Sequence, residues 1–167
     1  MSKAKPNWRI LKDRGLTKPD DILTTLYAFE PPVDVNAIAE HLGVVVHPVP
    51  EPGWSGALTV INDHAVAWLH MGEVEERRRF TLAHELGHLM LHDVTKAFRD
   101  VSFDGSVQES EANRFAVDLL MPMWMLDPVF HHAKTDAGVD HLAAMFKVSR
   151  AAMTRRLHEL FHGVIPL

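Results

Sequence analysis

His84 and His88 stand four residues apart with Glu85 beside the first, the layout in which a helix offers two imidazoles to a single ion. At a rise of about 1.5 Å per residue the two lie about 6 Å apart on one face, so their rings can converge. Glu85 projects roughly 100° around the helix from His84, where it can hold a water for attack rather than the metal. This is the ligand-and-base arrangement of a zinc hydrolase. The five-residue pattern would arise by accident in about one chain in twenty of this composition, so its setting matters. Phe80, Leu82, Ala83, Leu86, Leu89, Met90 and Leu91 surround it at mostly helical spacing. A surface helix would not carry that stripe.

A catalytic zinc site takes three protein ligands and leaves a fourth position open. The chain has no cysteine, so the third ligand is a histidine or a carboxylate, and His92, Glu109 and Glu111 are the candidates. His92 shares the face of His84 and His88 but lies about 12 Å along the helix from His84, too far to meet the same ion at bonds near 2.1 Å. It reads instead as a residue behind the ligands, a substrate contact or a helix cap. Glu109 follows His88 by 21 residues, on the next helix after a loop, where a carboxylate can approach the two rings from a facing helix. The alternative is a Glu109 that decorates an exposed helix face. Asn113, one turn beyond Glu109, can accept the other N–H of a ligating histidine. Glu111, rotated about 200° from Glu109, is expected to point away.

The elements that must position these residues are legible in outline. A helix fits residues 19–30 and ends at Pro31-Pro32; a second fits Val35 to His41, capped by Gly43. Val44 to Val49 reads as a strand. Gly56 to Ile61 and Ala65 to Leu69 are β-rich runs separated by Asn62-Asp63-His64, a hairpin signal. Two or three antiparallel strands therefore precede the motif helix, expected from about Glu73 to His92. Residues 93–107 show no periodicity and are expected to form a loop long enough to lie across a cleft. A helix from Gln108 to about Met121 follows, then a helical last third with short helices at Val139 to Phe146 and Ser149 to Phe161.

Strands segregated from helices give an α+β fold: a small antiparallel sheet packed on the motif helix, followed by a mostly helical C-terminal part. At 167 residues and 47% apolar content the chain suits one compact core. We divide it into a basic arm (1–18), a core that carries the zinc-hydrolase motif (19–125) and a helical subdomain packed on that core (126–167). The arm has six cations against one acid and the body is acidic, so the net charge of −5 hides a split. Such an arm is expected to be solvated and partly disordered. The chain shows no signal-peptide-like apolar run and no stretch long enough to span a membrane, so a cytoplasmic location is expected.

Several blocks occur together in order: Gly56-Ala57-Leu58, then Arg78-Arg79-Phe80-Thr81-Leu82-Ala83-His84-Glu85-Leu86-Gly87-His88, then Glu109-Ser110-Glu111-Ala112-Asn113-Arg114-Phe115-Ala116 and Leu119-Leu120-Met121-Pro122. Over roughly residues 33–125 the chain resembles the ImmA/IrrE family of zinc metallopeptidases. The resemblance implies a zincin-like core with zinc held by His84, His88 and Glu109, and Glu85 as the catalytic base. It further implies a protein substrate, typically a helix-turn-helix repressor of the XRE type.

Residues His141 to Leu157 resemble a helix-turn-helix, with Ser149 opening the second helix. Lys147 stands where such turns commonly have glycine, Arg156 replaces an expected core residue, and the body is acidic. Packing is therefore favoured over direct DNA binding, and the resemblance adds that family members have such a pair. The competing reading is a regulator or toxin–antitoxin component that works by protein or DNA binding, with structural zinc and no cleavage.

Overall fold

The computed structural model describes residues 5–50, 53–94, 99–100 and 106–162, and for 99–100 the backbone only. Three short helices come first: α1 (Asn7–Asp13), α2 (Pro19–Thr25) and α3 (Val35–Leu42). The Asp34 side chain accepts from the Asn36 and Ala37 amides to start α3, and Gly43 ends it in the left-handed region at φ 77°. Strands β1 (Val44–Val49), β2 (Gly56–Ile61) and β3 (His64–His70) follow, then the motif helix α4 (Glu75–Leu91), a two-residue strand β4 (Arg99–Asp100) and α5 (Val107–Leu120). The chain finishes with α6 (Met123–Leu126), a 3-10 turn (Phe130–Lys134), α7 (Asp136–Phe146) and α8 (Arg150–Leu160).

The α+β class holds, and one strand departs from an all-antiparallel sheet. β2 and β3 form the expected antiparallel hairpin, turning at Asn62 and Asp63, both at positive φ as a tight two-residue turn requires. β1 instead pairs with β3 in parallel, giving the order β1-β3-β2-β4. A run of β-branched residues marks a strand but not its direction. Here β2, the next strand in the chain, lies on the other side of β3 from β1. Most of the loop expected at 93–107, with its Asp104-Gly105 pair, lies outside the described residues.

A single apolar core runs from Trp8 to Phe161 and packs the sheet and all the longer helices around α4. The N-terminal arm needs correction accordingly. From Asn7 it is helical, with Trp8 and Leu11 buried, and Arg9 pairs with Asp63 at the hairpin turn. Its alternating basic and apolar residues are an amphipathic turn of helix, which the charge excess masked.

The final helix pair is locked in place by its basic residues. Lys147 takes the left-handed conformation at the turn (φ 50°) and pairs with Glu75 at 2.9 Å. Arg150 bridges Asp136 and Asp140 at 2.6 and 2.7 Å. Arg156, buried, donates to the Met121 carbonyl at 3.1 Å and pairs with Asp118 at 2.7 Å, which explains a cation at a core position. Arg79 on α4 is likewise buried and donates to the carbonyls of Val33 (2.9 Å) and Lys147 (3.2 Å). It joins the motif helix to the turn of the pair.

Candidate metal centre

Close approach of α4 and α5 assembles the site. Gly87 lies where the two helices touch: a Cβ there would stand 3.1 Å from Ala112 Cα and O and from Phe115 Cβ. Its small size lets α5 come near enough to bring Glu109 over the two imidazoles. On the other side, β2 begins at Gly56, where a Cβ would collide with Thr81 Cγ2 and sit 3.2 Å from Glu85 Oε1. The strand therefore lies directly against the helix beside the Glu85 carboxylate. Ser106 caps α5 by accepting from the Glu109 amide at 3.2 Å, which fixes the backbone that carries that carboxylate.

His84, His88 and Glu109 come together. The Nε2 atoms of the two histidines are 3.0 Å apart, and the Glu109 oxygens lie 3.2 Å from His84 Nε2 and 3.0 Å from His88 Nε2. These separations approach the edge, about 3.3 Å, of a tetrahedron with bonds of about 2.0 Å. Among the described residues this is the one group of three or more such side chains able to hold a metal ion.

Proton positions follow from the groups behind the rings. His84 Nδ1 lies 3.0 Å from Asn113 Oδ1, an acceptor, so Nδ1 carries the proton and Nε2 presents a lone pair to the group. Burial draws the His84 pKa below the ordinary histidine range, against the raising effect of its bond to Asn113. The neutral form is the one that ligates.

Glu85 is 1% exposed, and among the described residues neither carboxylate oxygen has a hydrogen-bond partner. Burial first, and then the nearby Glu109 charge, push its pKa up to about 8. The Glu109 carboxylate against the imidazole Nε2 atoms is a donor group that a divalent cation fits, and such an ion would favour the ionised Glu85. The donor set of nitrogen and carboxylate oxygen suits zinc or a neighbouring transition metal.

His92 ends α4 as its C-cap, and its Nδ1 lies 3.0 Å from His88 Nδ1. It sits behind the ligands, as distance along the helix required. The placement of Glu111 differs from expectation: its Oε2 lies 3.0 Å from His92 Nε2. The rotation argument holds relative to Glu109, but the far side of α5 meets the end of α4, which the spacing within α5 does not reveal. Lys12 of α1 is a second residue that sequence reasoning missed. Its ammonium donates to the Leu89 carbonyl at 2.8 Å and to the His92 carbonyl, neutralising the negative end of α4. A cleft of about 570 Å³ between α4, α5 and α8 borders the site at Asn113 and Phe80, lined further by Val117, Met121 and Val148.

The model of the peptidase M78 family, described as the IrrE N-terminal-like domain, matches residues 39–158. The chain belongs to this family. A relative of known sequence is uncharacterized immunity region protein 2 of Bacillus phage phi105, 36% identical over 74 residues that cover 42% of this chain and 45% of that protein. A solved Mycobacterium tuberculosis transcriptional regulator shares the fold, with a TM-score of 0.55 at 17% identity, over 93% of this chain and 52% of that one. The chain thus spans about half the length of each of these two relatives. Among the described residues no helix is long and apolar enough to cross a membrane.

Proposed function

We propose that the chain is a zinc-dependent endopeptidase of narrow specificity that cleaves a helix-turn-helix repressor of the XRE type and so relieves repression. The observation that carries the reading is the convergence of His84, His88 and Glu109 with the buried Glu85 carboxylate beside them. Membership of a peptidase family and a relative named for a phage immunity region support it. A cytoplasmic location, where such a repressor would be met, belongs to the same proposal.

His84, His88 and Glu109 would hold the ion, which when bound makes water acidic near neutral pH and polarises the scissile carbonyl. Asn113 keeps His84 in the tautomer whose Nε2 faces inward. A Glu85 carboxylate oxygen takes the proton of the attacking water and returns it to the leaving amine. The wall formed by Gly56 keeps that carboxylate dry and in place. The apolar cleft beside Asn113 gives a neighbouring substrate side chain room to bind.

The test is to incubate the purified chain with a helix-turn-helix repressor of the XRE type from the same genome, with and without a chelator, and to map any cut by mass spectrometry. Cleavage that the chelator abolishes is expected. Glu85→Gln should keep near-unit zinc stoichiometry while cleavage falls about 10²–10⁴-fold. Full activity in that variant would exclude the peptidase reading. The depth of the site, with Glu85 1% exposed, favours one other reading: a structural ion in a regulator that acts by binding. On that reading Glu85→Gln leaves function intact.

A further inference from the structure

We propose that Glu111 is a positioning residue for the metal centre, acting on His88 through His92. The inference rests on the reading of His84, His88 and Glu109 as ligands. Glu111 Oε2 lies 3.0 Å from His92 Nε2, and His92 Nδ1 lies 3.0 Å from His88 Nδ1. A carboxylate oxygen accepts, so His92 Nε2 carries a proton. In neutral His92 the Nδ1 lone pair then accepts from His88 Nδ1–H, which leaves the Nε2 lone pair of His88 facing His84 and Glu109.

The opposite polarity is incompatible with an ion bound between the ligands. If His92 Nδ1 donated to His88, the proton of neutral His88 would move to Nε2, 3.0 Å from His84 Nε2 and 3.0 Å from Glu109 Oε1, and would exclude an ion from between them. Only the chain Glu111, His92, His88, with every proton on the side nearer the surface carboxylate, leaves both histidines competent to ligate.

The support for the two ligand histidines is therefore unequal. His84 leans on the neutral amide of Asn113, on the facing helix. His88 leans on a two-step chain that ends at a half-exposed carboxylate. His92 can take part because α4 stops there: it leaves the helix at φ −110° and ψ 164°, and Lys12 holds its carbonyl and that of Leu89. A negative charge at the end of the chain strengthens the donor–acceptor polarity and makes His88 a better base toward a cation.

The experiment measures the zinc dissociation constant of the full chain by competition with a chromophoric chelator at one fixed pH. His92→Phe should weaken zinc about 10–100-fold and Glu111→Ala about 3–10-fold. Glu111→Gln, whose amide oxygen accepts the same bond, should recover most of the loss. Glu40→Ala, an exposed acid on α3, should match the wild type. Equal zinc affinity in Glu111→Ala and Glu40→Ala, with tight wild-type binding, overturns this inference alone. A wild type that binds no zinc overturns the ligand reading and this inference with it. Should His92→Phe fail to fold, ring ¹⁵N resonances of the zinc-loaded wild type give an independent result. A proton on His92 Nε2, with His92 Nδ1 unprotonated, is expected, and a proton on His92 Nδ1 overturns the chain.

Discussion

Glu85 is a buried acid with no partner for either oxygen among the described residues and a pKa pushed up to about 8. In the metal-free chain this makes stability depend on pH with a definite sign. The folded state holds the proton more tightly than an unfolded carboxyl at its ordinary 4.5, so the contribution is fully present below that pH and is lost as pH rises through about 8. Relative to Glu85→Gln, the metal-free wild type should lose on the order of a few kcal/mol between pH 5 and 8. Urea unfolding of the two proteins in chelator across that range measures it; parallel curves would refute it. For Asn113, removal of the Oδ1 that fixes the His84 tautomer should weaken zinc about 10–100-fold in Asn113→Ala. A chelator competition shows whether it does. The pairs His84–His88 and Glu109–Asn113 were legible because each is set within one helix by the 3.6-residue period, and that the two pairs face one another was implied by the resemblance of the motif blocks to a known family. The contacts of Glu111 and Lys12 had no such guide, because they depend on how helices dock.

The two glycines at the contacts of α4, Gly87 within it and Gly56 on β2, show how elements, and not only ligands, define the centre. Gly87→Ala would add helix propensity of about 1 kcal/mol, but the new methyl meets α5 backbone at 3.1 Å, and backbone cannot yield as a flexible side chain can. The net expected effect is destabilisation of about 1–3 kcal/mol, with weaker zinc binding because α5 must move away and take Glu109 with it. Thermal unfolding with and without added zinc checks both parts. A variant more stable than wild type would show that the helices part at little cost. The α+β class, the β2–β3 hairpin and the motif helix could be read from apolar periodicity and the Asn62-Asp63 turn. The parallel pairing of β1 could not, since the run of β-branched residues from Val44 marks a strand without saying which way it runs against β3.

At the scale of the whole molecule, charge is spent inward. Lys147, Arg150 and Arg156 of the helix pair each hold acids or carbonyls of the same chain. Phosphate contact would have to break those bonds, so no salt-dependent shift of duplex DNA is expected in a gel or anisotropy titration. A shift that weakens steeply with salt would return DNA recognition to the pair.

The placement of α1 has a consequence for where this fold can be cut. The family match begins at residue 39, and every motif residue lies inside it, yet Trp8 and Leu11 fill the core and Lys12 closes the end of α4. The segment that the family model matches is therefore smaller than the unit that folds. A chain trimmed to begin at residue 39 would keep its complete set of ligands and lose the floor beneath them.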